Sequence, residues 1–90
     1  QAVLELDPVN YQALMALAGL RFADKDYKAA TAAYDRILTT FPDDPDALSG
    51  AAWSALRAGD TTTARARFDL LLGRDPSYPR AAEGRSQCQP

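Results

Sequence analysis

Few side chains in this sequence could carry out catalysis. The 90 residues contain no histidine, and their single cysteine, Cys88, has no second thiol to pair with. A catalytic site needs positioned acids, bases or nucleophiles, and the chain has neither a Ser-x-x-Lys pair nor a glycine-rich phosphate loop. We therefore predict that the protein is not an enzyme, that it uses no cofactor and that Cys88 is inert.

The densest group of possible metal ligands is acidic and consists of Asp43, Asp44 and Asp46. It lacks the alternating ligands and the glycine of a calcium-binding loop. Asp44 directly precedes Pro45, and this order is typical of a helix start, where an aspartate caps the free N–H groups and a proline lacks only an N–H that would be unpaired anyway. We predict a turn and a helix cap here, and no metal site.

The charge of the chain is weakly acidic, with 10 Lys and Arg against 12 Asp and Glu. A nucleic-acid-binding domain usually carries a basic excess or a basic stripe, whereas the small basic clusters at residues 25–28 and 65–67 are typical of solvated helix faces. No apolar run approaches the roughly 20 residues of a membrane span. We expect a soluble protein without a nucleic-acid partner; its compartment stays open, cytoplasmic or periplasmic if the source is bacterial.

The elements that would position any site repeat every 34 residues, as the prolines at 8, 42 and 76 indicate. An ungapped alignment of residues 11–44 with 45–78 gives nine identities. These are Ala13/Ala47, Leu14/Leu48, Ala18/Ala52, Asp26/Asp60, Ala30/Ala64, Ala32/Ala66, Asp35/Asp69, Leu38/Leu72 and Pro42/Pro76. Internal repeats of this length are typical of solenoid proteins.

Each repeat has the pattern of two helices joined by a short turn. Apolar residues recur at helical spacing in each half of the first repeat, and Asp26 and Asp60 are placed to cap the second helix of each repeat. The first helix carries Leu14, Leu17, Ala18 and Phe22, and the second carries Ala30, Ala33, Tyr34, Ile37 and Leu38. Small and large residues therefore alternate, as in helices that pack closely.

These positions resemble the tetratricopeptide repeat (TPR) family. The matching residues are Leu14, Leu17, Ala18, Ala30, Tyr34, Ile37 and Pro42 in the first repeat and Leu48, Ala51, Ala52, Ala64, Phe68, Leu71 and Pro76 in the second. The sequence departs from the family's pattern where Leu14 and Leu48 replace an aromatic residue and where Ala18 and Ala52 replace a glycine. The resemblance implies an all-α fold, an α-solenoid of antiparallel helix–turn–helix hairpins wound as a right-handed superhelix, with about six helices counting partial ones.

The repeat divides the chain into four parts. Residues 1–7 are predicted to be the tail of a preceding repeat, residues 11–44 and 45–78 are TPR units, and residues 79–89 form a C-terminal capping helix. In the last helix we expect Arg85, Ser86 and Gln89 to face outward, since the end of a solenoid needs a polar surface. The chain begins mid-pattern at Gln1, and we expect it to be the C-terminal end of a longer array.

The resemblance also implies where a partner would bind, because the first helices of TPR units line a concave groove. The groove positions are Gln12, Met15, Gly19, Phe22, Ser49, Trp53, Leu56, Arg57 and Arg80. Members of the family that grip a terminal carboxylate use basic and amide side chains at positions that are here Met15, Gly19, Gly50, Arg80 and Gly84. Only Arg80 is charged, so we predict no carboxylate clamp.

The groove is instead predicted to bind an extended or helical apolar segment of another protein around Trp53, because tryptophan is enriched at binding hot spots. Trp53 could also pack against Gly19, and Phe22 and Leu56 could cover the hairpin turn. Two other functions stay open. Residues 2–6 are apolar and could mediate homo-oligomerisation, and pentatricopeptide repeats, which bind RNA, are similar helical pairs, although the acidic charge weighs against that function.

Overall fold

The computed structural model describes residues 8–88, and all regular secondary structure in this range is α-helical. The helices are α1 (Pro8–Ala23), α2 (Tyr27–Thr40), α3 (Pro45–Arg57), α4 (Thr61–Arg74) and α5 (Ala81–Gln87). The predicted all-α helical repeat is confirmed: α1 with α2 and α3 with α4 form two hairpins, and α5 follows. The expected tail of a preceding repeat, residues 1–7, lies outside the described residues, as does Gln89, which is expected to face outward.

Aspartates begin three of the helices, as predicted. The side chain of Asp26 accepts a hydrogen bond from the backbone N–H of Ala29, and Asp44 and Asp60 accept the equivalent bonds three residues ahead. Each cap satisfies one of the free N–H groups of a first helical turn. The turn that joins the two helices of each hairpin contains a residue with positive φ, which is Lys25 at 64° in the first and Gly59 at 91° in the second. Only the glycine adopts this conformation without strain.

Consecutive helices pack against one another along the chain, and the first helices of successive units, α1 with α3 and α3 with α5, are also in contact. The first helices therefore form one layer of the molecule, and α2 and α4 cover it on the other side. Alanines at repeat-equivalent positions, Ala18 with Ala52 and Ala30 with Ala64, are fully buried. Their small side chains let neighbouring helices approach closely, so this layer presents α1, α3 and α5 side by side.

An aromatic ring on each second helix packs against a glycine of the next first helix. A Cβ added to Gly50 would lie closer than 3.0 Å to carbons of the Tyr34 ring, and a Cβ added to Gly84 would meet the Phe68 ring in the same way. The two contacts are related by the 34-residue repeat. The missing side chain at Gly50 and Gly84 is therefore a packing requirement between units.

Leu17 was predicted to be a core residue, and this prediction is wrong. Leu17 is 40% exposed and Leu20 is 64% exposed, whereas their repeat equivalents in α3, Ala51 and Ser54, are fully buried. Residues three and four apart share a helix face, so Ala51 and Ser54 lie on the face of α3 that Gly50 turns toward α2. On α1 the corresponding face carries larger apolar side chains that remain accessible to solvent.

Helix α5 is held against α4 by two arginines. Arg65 Nη2 donates to the backbone oxygen of Cys88 at 3.1 Å, and Arg85 Nε donates to Asp69. The expectation that Arg85 faces outward is therefore wrong, because Arg85 is repeat-equivalent to Ala51 and lies on the face directed at the preceding helix. Cys88 is buried, and its Sγ lies 3.4 Å from the backbone oxygen of Gly84.

Candidate partner-binding site

The predicted groove residues lie on the layer formed by α1, α3 and the residues around the start of α5. The large apolar side chains of this group are half-buried and pack against the core. Met15, Phe22, Ser49, Trp53 and Leu56 are half-buried, whereas Gln12, Gly19, Arg57 and Arg80 are exposed. The aromatic and cation–π contacts of the structure bring three of these nine residues together around one indole ring.

Trp53 is the centre of this group. Its ring lies edge to face with Phe68, with centroids 5.3 Å apart and planes at 85°. The guanidinium carbons of Arg57 and Arg80 lie 5.6 Å and 4.7 Å from the indole centroid. These are distances at which a cation is attracted to the ring's negative face. The indole is therefore fixed from within by Phe68 and flanked by two positive groups.

The alternative in which Trp53 packs against Gly19 is wrong. A Cβ added to Gly19 would meet no atom within 4 Å. The reason is that Trp53 and Gly19 occupy equivalent positions of successive repeats, 34 residues apart. Trp53 instead contacts Phe68 on α4, the second helix of its own unit.

Arg80 reaches the indole from a strained backbone position. It precedes α5 with a φ of 67°, in the left-handed region that is costly for residues other than glycine. Its Nε also donates to Glu83 Oε1 at 3.3 Å. Arg57, by contrast, forms no ion pair with a side chain among residues 11–88. The cluster therefore presents one paired and one unpaired guanidinium beside an aromatic surface.

Phe22 and Leu56 have different surroundings at the hairpin turns. The Phe22 ring lies edge to face with Tyr27, the first residue of α2, with centroids 5.2 Å apart. Phe22 therefore covers the turn of the first hairpin, which was the alternative to a role in binding a partner. Leu56 is the repeat equivalent of Phe22, and the residue equivalent to Tyr27 is Thr61, which has no ring. Leu56 is half-buried against the core.

The positions of a carboxylate clamp cannot carry one in this structure. The space that side chains at Gly50 and Gly84 would occupy is filled by the rings of Tyr34 and Phe68. The family resemblance marked both glycines as clamp positions and did not reveal this contact. The available clue was that each glycine follows an aromatic residue by 16 positions in both units.

Two tyrosines link neighbouring first helices through carboxylates near the start of α3. Tyr11 Oη donates to Asp44 at 3.0 Å, and Tyr78 Oη donates to Asp46 at 2.6 Å. Burial, and then the neighbouring aspartates, raise the pKa of both phenols to about 12, because both causes disfavour the phenolate. The N-terminal end of α3, where Asp44 and Asp46 lie, is thus negatively charged, whereas the surroundings of Trp53 are positively charged.

The described residues contain no group of three His, Cys, Asp or Glu side chains close enough to hold a metal ion. Asp43, the first residue of the acidic cluster, pairs with Arg74 at 2.7 Å, and Asp44 caps α3. No helix among residues 8–88 is long and apolar enough to cross a membrane.

Comparison with known proteins agrees with the repeat architecture. A sequence model described as tetratricopeptide repeat matches residues 21–88. The chain is also similar to cellulose synthase operon protein C of Escherichia coli O157:H7, with 35% identity over 75 residues, which cover 83% of this chain and 6% of that protein. The match thus concerns a small part of a much longer relative. Since the family match spans most of the described helices, the chain belongs to the tetratricopeptide repeat family.

Proposed function

We propose that this chain binds an extended or helical segment of a partner protein along the layer of α1, α3 and α5. TPR units are generally protein–protein interaction modules, and the finer proposal is that the nine groove residues named above contact the partner. The observation that carries it is the cluster of Trp53, Arg57 and Arg80. Tryptophan and arginine are the residue types most enriched among those that dominate binding energy.

The arrangement around Trp53 favours binding without a large rearrangement. The contact with Phe68 orients the indole before a partner arrives, and a side chain that is already ordered loses less entropy on binding. Arg57 is exposed and can donate several hydrogen bonds to a partner's carbonyl or carboxylate groups. We propose that these two residues form the centre of the interface and that Met15, Phe22 and Leu56 extend it.

The similarity to an Escherichia coli protein named for a cellulose synthase operon directs the search for a partner. We propose that proteins encoded together with a cellulose synthase are the first candidates to test. We also propose that the chain itself is not catalytic, a proposal supported by its lack of histidine and of a nucleophile paired with a base.

Selection of a random peptide library on the immobilised protein tests the groove. Binders are mapped by the shifts of backbone amide signals in ¹⁵N NMR spectra. We expect the shifted signals to lie in α1, α3 and α5 and the emission of Trp53 to change, since it is the only tryptophan in the chain. Shifts confined to α2 and α4 would contradict the proposal.

A pair of matched variants distinguishes a specific contact in the groove from a general effect of the protein's net charge on peptide binding. Arg57 and Arg36 are both exposed helical arginines, on α3 and α2 respectively. Arg57→Gln should weaken a selected peptide several-fold, whereas Arg36→Gln removes the same charge outside the groove and should leave the affinity unchanged. Equal effects of the two substitutions would mean that net charge alone determines binding.

Self-association is a second candidate function, favoured by the accessible Leu17 and Leu20 on α1. Two copies could cover these faces mutually. Sedimentation velocity tests this with Leu20→Gln and, as a matched control, Leu70→Gln, because Leu70 is 51% exposed on α4. An oligomer that is lost with Leu20→Gln alone supports assembly through α1, and monomers at all concentrations exclude it.

A further inference from the structure

The second TPR unit contains a ring at a position that is vacant in the first. Trp53 lies on α3 with its indole against Phe68 of α4. Thirty-four residues earlier, Gly19 takes the place of Trp53 and Tyr34 takes the place of Phe68. The first unit therefore repeats the aromatic platform of the second but lacks the residue that covers it.

The space at this vacant position is open. A Cβ on Gly19 would meet no atom within 4 Å, so the glycine is not required for close packing between helices. Phe68, which the indole covers, is fully buried, whereas Tyr34 keeps 9% of its surface exposed. Within residues 11–88 Tyr34 forms no ring–ring pair. An aromatic ring beside Gly19 would give Tyr34 the ring–ring contact that Phe68 already makes with Trp53.

The charges around the two positions are opposite. Arg57 and Arg80 flank the indole of Trp53, whereas the residues at the equivalent positions of the first repeat are Ala23 and Asp46. Asp46 is exposed at the start of α3 and accepts a hydrogen bond from Tyr78. Asp44 lies two residues before it and accepts from Tyr11, so a second carboxylate adds to the negative charge.

We propose that the surface at Gly19 receives an aromatic side chain of the partner, stacked edge to face on Tyr34, and that a lysine or arginine next to that side chain pairs with Asp46. The inference rests on the proposed function and specifies its partner. The partner segment is an aromatic residue flanked by basic residues. In the second unit this chain itself supplies the corresponding groups: Trp53 corresponds to the partner's aromatic residue, and Arg57 and Arg80 correspond to its basic residues.

A pair of short peptides tests the chemistry directly. Acetyl-Lys-Trp-Lys-amide and acetyl-Glu-Trp-Glu-amide are titrated into the ¹⁵N-labelled protein at low salt. We expect amide shifts around Gly19, nuclear Overhauser contacts between the peptide indole and the Tyr34 ring, and binding of the basic peptide about fivefold tighter for one ion pair in water. The preference should shrink at high salt. Absence of indole contacts with Tyr34 at millimolar peptide overturns the proposal.

Two tryptophan substitutions give a matched comparison. Gly19→Trp supplies the ring from the chain itself and should abolish binding of the basic peptide while thermal unfolding remains cooperative. Gly73 also lies in a helix with nothing within 4 Å of an added Cβ, but it is on α4, so Gly73→Trp should bind the peptide as the unsubstituted protein does. Unchanged binding by Gly19→Trp, or equal losses in both variants, contradicts the proposal.

Asp46→Asn separates the charge from the aromatic contact. It should reduce the preference for the basic over the acidic peptide about fivefold for the lost ion pair and keep the indole contacts with Tyr34. An unchanged preference would refute the role of Asp46. The proposed function is judged separately: library-selected peptides that shift α3 and α5 signals but still bind Gly19→Trp support the groove and overturn this inference alone.

Discussion

Substitution of Gly50 by alanine tests the contact that joins the two TPR units. In most helix interiors this change stabilises a protein by about 1 kcal/mol, since glycine has the poorer helix propensity. At Gly50, however, the new methyl group would fall within 3.0 Å of carbons of the Tyr34 ring. Tyr34 is 9% exposed and can move only by displacing its neighbours, and overpacking of this kind costs about 1–3 kcal/mol.

The two effects oppose each other, and the steric one is larger. We expect Gly50→Ala to lower the free energy of unfolding by about 1 kcal/mol, which lowers the melting temperature by about 4–8 °C in a domain of this size. Gly19→Ala is the control, because its methyl group meets no atom within 4 Å. That variant should gain about 0.5–1 kcal/mol, so the two identical substitutions change stability in opposite directions.

Urea unfolding followed by far-ultraviolet circular dichroism measures both values. Two further proteins, Tyr34→Leu alone and combined with Gly50→Ala, complete a double-mutant cycle that isolates the contact. In the Tyr34→Leu background the ring is gone, so Gly50→Ala should become neutral or stabilising. If Gly50→Ala stabilises the unsubstituted protein as much as Gly19→Ala does, Tyr34 does not pack against Gly50 and the reasoning is refuted.

Three further predictions concern residues near the starts of α1, α3 and α5. The pKa of Tyr11 and Tyr78 is raised to about 12, so their stabilising contribution is complete below pH 10 and lost as the pH rises toward 12; absorbance at 295 nm should show a late-titrating phenol that each Tyr→Phe variant removes. A phenol of normal pKa at both positions would contradict the hydrogen bonds to the aspartates. Asp44→Ala removes the cap at Ala47 and should cost about 1 kcal/mol in urea unfolding; no loss would mean that the cap is dispensable. Arg80 has a φ of 67°, so Arg80→Gly should be about 1 kcal/mol more stable than Arg80→Ala, and equal stabilities would argue against the left-handed conformation.

The helical elements could be predicted from the sequence because their determinants are local. The spacing of apolar residues indicates a helix, and Asp26, Asp44 and Asp60 precede α2, α3 and α4, where each caps a first turn. The 34-residue repeat placed the hairpins, and the resemblance built on it led to the TPR family that the comparison supports. None of these inferences required knowledge of distances between helices.

The candidate site could be predicted only in part. The resemblance to the TPR family assigned Trp53, Arg57 and Arg80 to one surface, and the structure brings these three together. It did not indicate that Trp53 rests on Phe68. A helical period specifies which face of a helix a residue occupies, but the side chain that it meets depends on how far and at what angle the next helix lies.

Two glycines and one arginine show the same difference between what the helical pattern indicates and what the packing of helices decides. In the sequence Gly19 and Gly50 are both helical glycines of first helices, yet an added Cβ would meet open space at one and the Tyr34 ring at the other. Arg85 has the polarity of an outward-facing cap, but it reaches back to Asp69. The sequence by itself determined the repeat, the helices and their caps, since these depend on residues a few positions apart. Only the tertiary structure decided which surfaces are filled and which are open, because burial requires a neighbouring helix to cover the face.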